Sequence, residues 1–238
     1  MERVKTGIKG FDNLMQGGFV KNSVSLVIGA PGTGKTIFGL EYLYRGAKEF
    51  DEKGIYVSFE QSVEEVEEQA LQFGWDFKEL QKKKKIKILF IPIEKIHKET
   101  LDLIGKLVKE FKAERLVIDS LSTLAVSAPE YMNTIRISNK EIARYFIYKF
   151  INQLKKLDCT TLLTSELKQE DWLGRDLLAE FVVDTIILLR YFGAAGESSR
   201  TLAIKKARWT RFNEFIHSFR FTSNGIELEK IKKLGFVK

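Results

Sequence analysis

The chain has 238 residues, of which 44% are hydrophobic and 30% charged, a composition typical of a soluble globular protein. Its single cysteine, Cys159, excludes an internal disulfide, and no Cys/His cluster is present for a structural metal. No apolar run is long enough to span a bilayer, and residues 1–5 lack the apolar core of a signal peptide, so we expect a cytoplasmic protein. The net charge of +7 permits nucleic-acid binding without demonstrating it.

The N-terminal segment predicts a small cap on the rest of the fold. Residues 6–14 have the pattern of a turn and a short helix, which the pair Gly17-Gly18 ends. Residues 24–28 then form a run of β-branched and aliphatic side chains, typical of a buried strand.

This strand leads into a glycine-rich loop, Gly29-Ala30-Pro31-Gly32-Thr33-Gly34-Lys35-Thr36, which fits the phosphate-loop pattern. An amphipathic helix follows, so the strand–loop–helix context of the pattern is present; the alternative is a glycine-rich turn that fits by chance. The backbone N–H groups of such a loop surround phosphate oxygens, and the helix N-terminus adds a favourable dipole. Lys35 is expected to reach the β- and γ-phosphates and Thr36 to bind Mg²⁺. The loop therefore predicts a nucleoside triphosphate.

Two further buried strands end in carboxylates, at 54–61 and at 115–120. Ligands of doubly wound sheets lie at the C-terminal ends of the strands, so Glu60 lies near the phosphates if its strand neighbours the first one. Asp119 is expected to hold Mg²⁺ through water, as in other phosphate-loop proteins. The alternative for Glu60 is a cap on the following helix, for which Ser62 begins a capping box.

The remaining pattern predicts a mostly parallel, doubly wound α/β sheet with antiparallel C-terminal strands. Helices are predicted at 62–73, 100–111 and 141–156, and strands at 87–91, 160–165, 182–191, 201–205 and 215–221. Segments 125–140 and 167–175 predict loops. The run Lys82-Lys83-Lys84-Lys85 predicts a solvated loop, with a binding patch as the alternative. We find no linker or repeat, so residues 1–238 are predicted to form one domain.

Several motifs occur in an order that resembles the KaiC-like branch of the RecA/RadA superfamily. They are Thr6-Gly7-Ile8-x-Gly10-Phe11-Asp12, the phosphate loop, Phe59-Glu60-Gln61, Ile118-Asp119-Ser120, Thr164-Ser165-Glu166, Asp184-Thr185-Ile186-Ile187 and Lys206-Ala207-Arg208. The resemblance covers residues 3–229. It implies a RecA-like P-loop NTPase that uses ATP and Mg²⁺. It also implies a ring of identical subunits, usually a hexamer, with ATP at each interface.

The resemblance also implies roles for single residues. Glu60 occupies the position of the carboxylate that polarises the attacking water, although Gln61 replaces the second glutamate that KaiC domains typically have. Ser165 falls among the nucleotide-binding residues. Lys206 and Arg208 match a K-x-R segment that reaches the γ-phosphate of a neighbouring subunit; the alternative is a basic strand edge that discourages aggregation.

Two departures from the family pattern affect this picture. Family members often continue the K-x-R segment with glycine, and here Trp209 follows Arg208. The clock protein of the family autophosphorylates a Ser-Thr pair before its D-T-I-I strand, and this chain has Glu180-Phe181 there. We therefore expect no clock-type autokinase.

The leading hypothesis is a ring-forming, Mg²⁺-dependent ATPase, and two others remain open. One is a scaffold that binds ATP and assembles but hydrolyses little, for which Gln61 is the support. The other is a recombination accessory factor that binds single-stranded DNA through the two loops expected to face the ring channel. Their basic and aromatic residues are Tyr131, Arg136, Lys140, Lys168, Trp172 and Arg175, diluted by nearby acids.

Overall fold

The structure is a computed structural model that describes residues 1–97, 99–127, 139–166, 179–194 and 197–229, and within these ranges a nine-stranded sheet forms the frame. The strands are β1 Arg3–Val4, β2 Phe19–Val20, β3 Val24–Gly29, β4 Gly54–Ser58, β5 Ile86–Phe90, β6 Arg115–Asp119, β7 Thr160–Glu166, β8 Thr185–Ala194, β9 Glu197–Ala207, β10 His217–Thr222 and β11 Gly225–Leu228. The helices are α1 Phe11–Leu14, α2 Lys35–Glu49, α3 Val63–Leu71, α4 Phe77–Lys82, α5 Thr100–Phe111, α6 Leu121–Ser127, α7 Asn139–Leu154 and α8 Ala179–Val182.

The spatial order of the large sheet is β11-β10-β9-β8-β3-β7-β6-β4-β5. Strands β8, β3, β7, β6, β4 and β5 are parallel, and β9, β10 and β11 extend the sheet antiparallel. The predicted mostly parallel sheet with an antiparallel C-terminal extension is therefore confirmed. Gly29 lies beside Glu166, and Ser58 beside Asp119. We call this end of the parallel strands the carboxyl end and the opposite one the amino end.

The strand that precedes Glu60 does not neighbour the first strand, contrary to the condition set from the sequence. β4 pairs with β5 and β6, and β7 and β6 separate it from β3. Because adjacent strands are about 4.8 Å apart, β4 lies about 14 Å from β3 across the sheet. Glu60 therefore lies at the same end of the sheet as the loop, but three strand positions away from it.

Helices cover both faces of the parallel strands, which explains why these strands are apolar throughout. Successive strand residues point to opposite faces, so Val117 packs with α2 and Ile118 with α5 and α7. One core contains the apolar side chains of α1 to α4, and the other those of α5 to α8.

Some predicted boundaries differ from the observed ones. The segment 125–140 is not all loop, because α6 continues to Ser127 and α7 begins at Asn139; residues 128–138 lie outside the described ranges. The strand predicted from residue 182 begins at Thr185, because the preceding apolar residues close a helical turn in which Val183 N donates to Ala179 O at 2.9 Å. A fully buried apolar run fits a helix or a strand equally well, which is why the pattern misassigned this turn.

The structure also shows the surroundings of the single cysteine and of the lysine run 82–85, and it bears on membrane-spanning helices. Cys159 is buried, and burial raises the pKa of its thiol, as expected for an inert side chain. Lys83 pairs with Glu79 and Lys85 with Asp51, which fits a solvated connection after α4. Among the described residues, no helix is both long and apolar enough to cross a membrane.

Candidate functional site

The predicted phosphate loop joins β3 to α2 at the carboxyl end of the sheet. Gly34 precedes the first helical residue with φ +106°, a conformation that glycine adopts without strain, and no side chain caps the helix. The first N–H groups of α2 are therefore available to an anion. Within the loop, the Thr33 hydroxyl donates to Ala30 O at 2.8 Å and fixes the turn.

Lys35 lies within this loop. Its Nζ donates to Gly29 O at 2.9 Å and to Ala30 O at 3.1 Å. Burial lowers the pKa of Lys35, while the carboxylates of Glu166, Asp119 and Glu60 oppose that shift. A phosphate oxygen accepts a stronger, charge-assisted hydrogen bond than a carbonyl does, so an entering phosphate can take over this ammonium.

Asp119 is tied to the loop and to two neighbouring strands by hydroxyl groups. Its Oδ2 accepts from Thr36 Oγ1 at 2.8 Å and from the Tyr56 hydroxyl at 2.6 Å, and its Oδ1 accepts from Thr164. Burial and the adjacent Asp119 carboxylate raise the pKa of Tyr56 well above its usual value, so the phenol remains a donor. Three neutral donors thus orient one carboxylate toward the start of α2.

This donor set fits Mg²⁺. Thr36 and Asp119 offer hard oxygen ligands 2.8 Å apart beside the phosphate loop. In the ranges that the structure describes, no three His, Cys, Asp or Glu side chains gather as a metal site. Mg²⁺ does not need such a cage, because it usually binds through one or two protein groups, phosphate oxygens and water.

Glu60 lies at the same end of the sheet, next to the start of α6. Its Oε1 accepts from Ser120 Oγ at 3.2 Å and from Thr123 Oγ1, and its side chain is exposed. The capping alternative does not hold, because Ser62 caps α3 in a complete capping box with Glu65. The Glu60 carboxylate is therefore positioned by hydroxyls of the segment after Asp119.

The side chains of Thr164 and Ser165 point to opposite faces of β7. Thr164 bonds Asp119 on the α2 face, whereas the buried Ser165 hydroxyl bonds Ser122 Oγ at 2.9 Å on the α6 face. Ser165 was predicted from the sequence as a nucleotide-binding residue, whereas no role in the site was predicted for Thr164 or Tyr56. Strand alternation could have found Thr164, because it shares the parity of Val27 and Asp119 in the paired strands.

An arginine between two aromatic rings lies next to the loop, and no role was predicted for it from the sequence. The Arg200 guanidinium carbon is 4.7 Å from the Tyr191 ring centroid and 4.6 Å from that of Phe221. Phe221 in turn packs on the loop, since a Cβ at Gly34 would lie 2.5 Å from its Cζ. We call Tyr191, Arg200 and Phe221 the aromatic platform. Its signal in the sequence is Arg200 at the spacing of Leu202 and Ile204, a charge on an otherwise apolar strand face.

Lys206 and Arg208 lie at the amino end, away from the phosphate loop of their own chain. β9 ends at Ala207, so Arg208 lies just beyond the strand, yet both side chains reach the region of α8. Lys206 Nζ donates to Glu180 O at 2.8 Å, and Arg208 Nη1 lies 3.4 Å from Asp184 Oδ1. Burial and then the neighbouring Arg208 lower the pKa of Lys206.

The register measures this separation. Thr185 pairs with Ser25 at the start of β3, and Leu189 pairs with Gly29 at its end. Four residues of strand span about 13 Å.

The loops predicted to face a ring channel cannot be placed in this site. Their basic and aromatic residues Tyr131, Arg136, Lys168, Trp172 and Arg175 lie outside the described residues, and so does the side chain of Lys140.

Comparison with known proteins identifies the family. The sequence model described as "ATPase: KaiC" matches residues 4–233, nearly the whole chain. The chain belongs to the KaiC family of ATPases. The predicted family and the RecA-like P-loop fold are thereby confirmed, and membership supports ATP binding by the phosphate loop.

Relatives of this KaiC-family chain include single-domain and longer proteins. The structure of the KaiC-like protein PH0186 from Pyrococcus horikoshii OT3 superposes with a TM-score of 0.83 at 33% identity, covering 96% of this chain and 99% of that one. The UPF0273 protein MJ1359 of Methanocaldococcus jannaschii is 30% identical over 98% of this chain and 100% of its own length. The circadian clock oscillator protein KaiC of Prochlorococcus marinus is 31% identical over 95% of this chain. The chain spans 45% of that clock protein.

Proposed function

We propose that this protein binds MgATP and hydrolyses it at sites formed between copies of the chain in a ring. The observation that carries the proposal is the bond between Thr36 and Asp119, which joins the phosphate loop to the end of β6, two strands away from β3 in the sheet. Membership of the KaiC ATPase family supports the same conclusion. A cytoplasmic setting and one domain over residues 1–238 are part of the proposal.

Each residue of the site has a chemical role in this proposal. Lys35 and the N–H groups of 29–36 bind the β- and γ-phosphates, and Thr36 and Asp119 hold Mg²⁺, which neutralises phosphate charge. Glu60 accepts a proton from the attacking water and orients it. Thr164 and Tyr56 keep Asp119 in position. Because the Ser165 hydroxyl already bonds Ser122, we give Ser165 a supporting role beside the site.

Lys206 and Arg208 act on the nucleotide of another copy. Their separation of about 13 Å from the loop of their own chain supports this assignment, because within one chain both side chains contact the region of α8 at the opposite end of the sheet. Cations supplied in this way stabilise the charge that develops on the transferred phosphoryl group. In each copy, the aromatic platform beside Gly34 would bind the purine base.

The test is phosphate release from MgATP by size-fractionated protein. We expect turnover in the assembled fraction only, loss of ATP binding in Lys35→Ala, and turnover reduced about 100-fold or more in Glu60→Gln with binding retained. Equal turnover by Lys35→Ala and the unaltered chain would contradict the assignment. ATP binding without turnover in any fraction would favour the scaffold hypothesis, and turnover stimulated by single-stranded DNA would favour the recombination factor.

A further inference from the structure

Trp209 has a backbone conformation that aromatic residues rarely adopt. Its φ is +55°, and among the six non-glycine residues with positive φ in the described chain it is the one aromatic residue. Glycine would be unstrained here, whereas a bulky side chain in this region costs free energy. The indole is also 58% exposed, so packing against the described residues does not account for its position.

The N-terminal segment holds the backbone around Trp209 in place. Arg3 donates to Trp209 O at 3.0 Å and to Thr210 Oγ1 at 2.6 Å. Arg211 N donates to Gln16 Oε1 at 3.0 Å, and Arg208 N donates to Asp184 O at 2.8 Å. These bonds use backbone atoms and neighbouring side chains, so the fold fixes this segment without the indole. The indole is thus presented on a rigid support.

Charge indicates what this segment faces. Residues 205–211 carry four cations and no acid: Lys205, Lys206, Arg208 and Arg211. The carboxyl end of the sheet carries Glu60, Asp119 and Glu166, whose fields all act on Lys35. The cationic segment 205–211 and these three carboxylates are therefore complementary in charge, and because they lie at opposite ends of the sheet, a second copy is needed to bring them together.

We propose that Trp209 of one copy stacks on the purine base of the ATP bound to the next copy, opposite the aromatic platform. The inference rests on the proposed function, in which Lys206 and Arg208 of the same segment reach that nucleotide. An indole offers a large π surface, and stacking on it adds affinity for the base and none for the phosphates. Trp209 is then a nucleotide-binding residue supplied by the neighbouring subunit.

The experiment compares ligands with and without a base, using Trp209→Gly, Trp209→Phe and the unaltered chain with Mg²⁺. The probes are adenylyl imidodiphosphate and inorganic tripolyphosphate, titrated at protein concentrations where the chain is assembled. Trp209→Gly should weaken adenylyl imidodiphosphate about tenfold and leave tripolyphosphate unchanged, and Trp209→Phe should retain most of the affinity. Glycine suits the positive φ, so folding is not at risk.

A matched control and a spectroscopic readout sharpen the test. Phe215→Ala removes another exposed aromatic side chain from the same connection and should leave the ratio of the two affinities unchanged. The chain has three tryptophans, so the emission of the unaltered chain minus that of Trp209→Phe isolates Trp209. This emission should change with adenylyl imidodiphosphate only at concentrations at which copies associate.

Equal losses for both ligands would overturn the inference, because Trp209 would then support only the contact between copies. Unchanged affinity in Trp209→Gly would overturn it as well. In both cases Mg²⁺-dependent turnover by the unaltered chain would leave the proposed function standing. Absence of turnover in every fraction would contradict the proposed function, whatever Trp209→Gly does.

Discussion

Among single residues, the position of Asp119 depends on groups that no phosphate-loop pattern includes. Its two carboxylate oxygens accept hydrogen bonds from Thr36, Tyr56 and Thr164, which come from three different elements. Tyr56 is fully buried, and its hydroxyl reaches no charged acceptor other than Asp119 among its described hydrogen bonds. A side chain that hydrogen-bonds to a metal-binding residue, as Tyr56 does to Asp119, sets the orientation of that metal-binding residue.

Tyr56→Phe is expected to raise the Mg²⁺ concentration for half-maximal turnover about tenfold, because Asp119 loses a donor that orients it. The measurement is ATP turnover against Mg²⁺ at saturating ATP. The control is Tyr42→Phe, which removes another buried phenol whose hydroxyl donates to Thr160 O at 3.3 Å, away from the site. Identical Mg²⁺ curves for Tyr56→Phe and Tyr42→Phe would show that Tyr56 does not position Asp119.

Among the elements, helix α2 connects the phosphate loop to the C-terminal hairpin β10–β11. At its start, Gly34 contacts Phe221 of β10. About two turns further on, the fully buried Glu41 accepts from Ile226 N at 2.7 Å, and about one turn later Arg45 donates to Asn224 O at 2.6 Å. The hairpin therefore contacts the loop and the helix that follows it.

Gly34→Ala is expected to weaken MgATP binding at least about tenfold, because its Cβ would displace Phe221 and the loop together. Gly17→Ala is the matched control: its φ of +102° is similar to that of Gly34, but nothing lies within 4 Å of its Cβ. Both variants should lose some thermal stability, and only Gly34→Ala should lose affinity in a binding titration. Equal affinities would mean that the contact with Phe221 does not shape the loop.

The pH dependence of stability should report on Glu41. Burial raises its pKa from 4.5 to about 7, against the lowering effects of the Ile226 N–H and of Arg45. The folded chain thus binds this proton more tightly than the unfolded chain, so its contribution is fully present below pH 4.5 and is lost as the pH rises to about 7. The difference between these pKa values corresponds to at most about 3 kcal/mol.

Glu41→Gln removes this titration while its side-chain oxygen can still accept from Ile226 N. We expect the free energy of unfolding to fall less between pH 5 and pH 8 in the variant than in the unaltered chain, measured by urea titration. Glu49→Gln, which removes an exposed partner of Arg45, is the control and should keep the original slope. The same slope in Glu41→Gln would contradict a raised pKa for Glu41.

For the whole molecule, the sheet separates the two halves of the proposed site. The phosphate loop, Asp119 and Glu60 lie at the carboxyl end, and Lys206 and Arg208 lie at the amino end. A site that needs both ends cannot be completed within one chain. Repeated contacts between unlike ends generate rings when the rotation closes.

Mixing two inactive variants tests this arrangement. Lys35→Ala keeps the cationic segment, and Arg208→Ala keeps the loop, so an equal mixture of the two should regain about a quarter of the original turnover through hybrid interfaces. Lys35→Ala mixed with Glu60→Gln should regain none, because both changes lie in the same half of the site. Failure of the first mixture to exceed its components, despite subunit exchange, would exclude action between copies.

The local pattern of the sequence determined the elements and the chemistry of the phosphate loop. The apolar strand 24–28, the glycine spacing of 29–34 and the amphipathic helix after Lys35 are consecutive, so their physics is local and could be predicted. The acids at the ends of β4 and β6 were found for the same reason. The short helix α8 was not predicted, because in a fully buried apolar run the hydrophobic pattern does not distinguish the period of a helix from that of a strand.

Only the tertiary structure decided which of these residues meet. Strand order placed β7 and β6 between β3 and β4, which set the distance from Glu60 to the loop. Because successive residues of a strand point to opposite faces, Thr164 bonds Asp119, whereas Ser165 points to the other face and bonds Ser122. Because β9 runs antiparallel to β8, Arg200 lies beside the loop and Lys206 lies at the opposite end of the sheet. The sequence by itself therefore determined which groups are present. Pairing between strands far apart in the chain decided their neighbours, because it depends on long-range packing that no local pattern encodes.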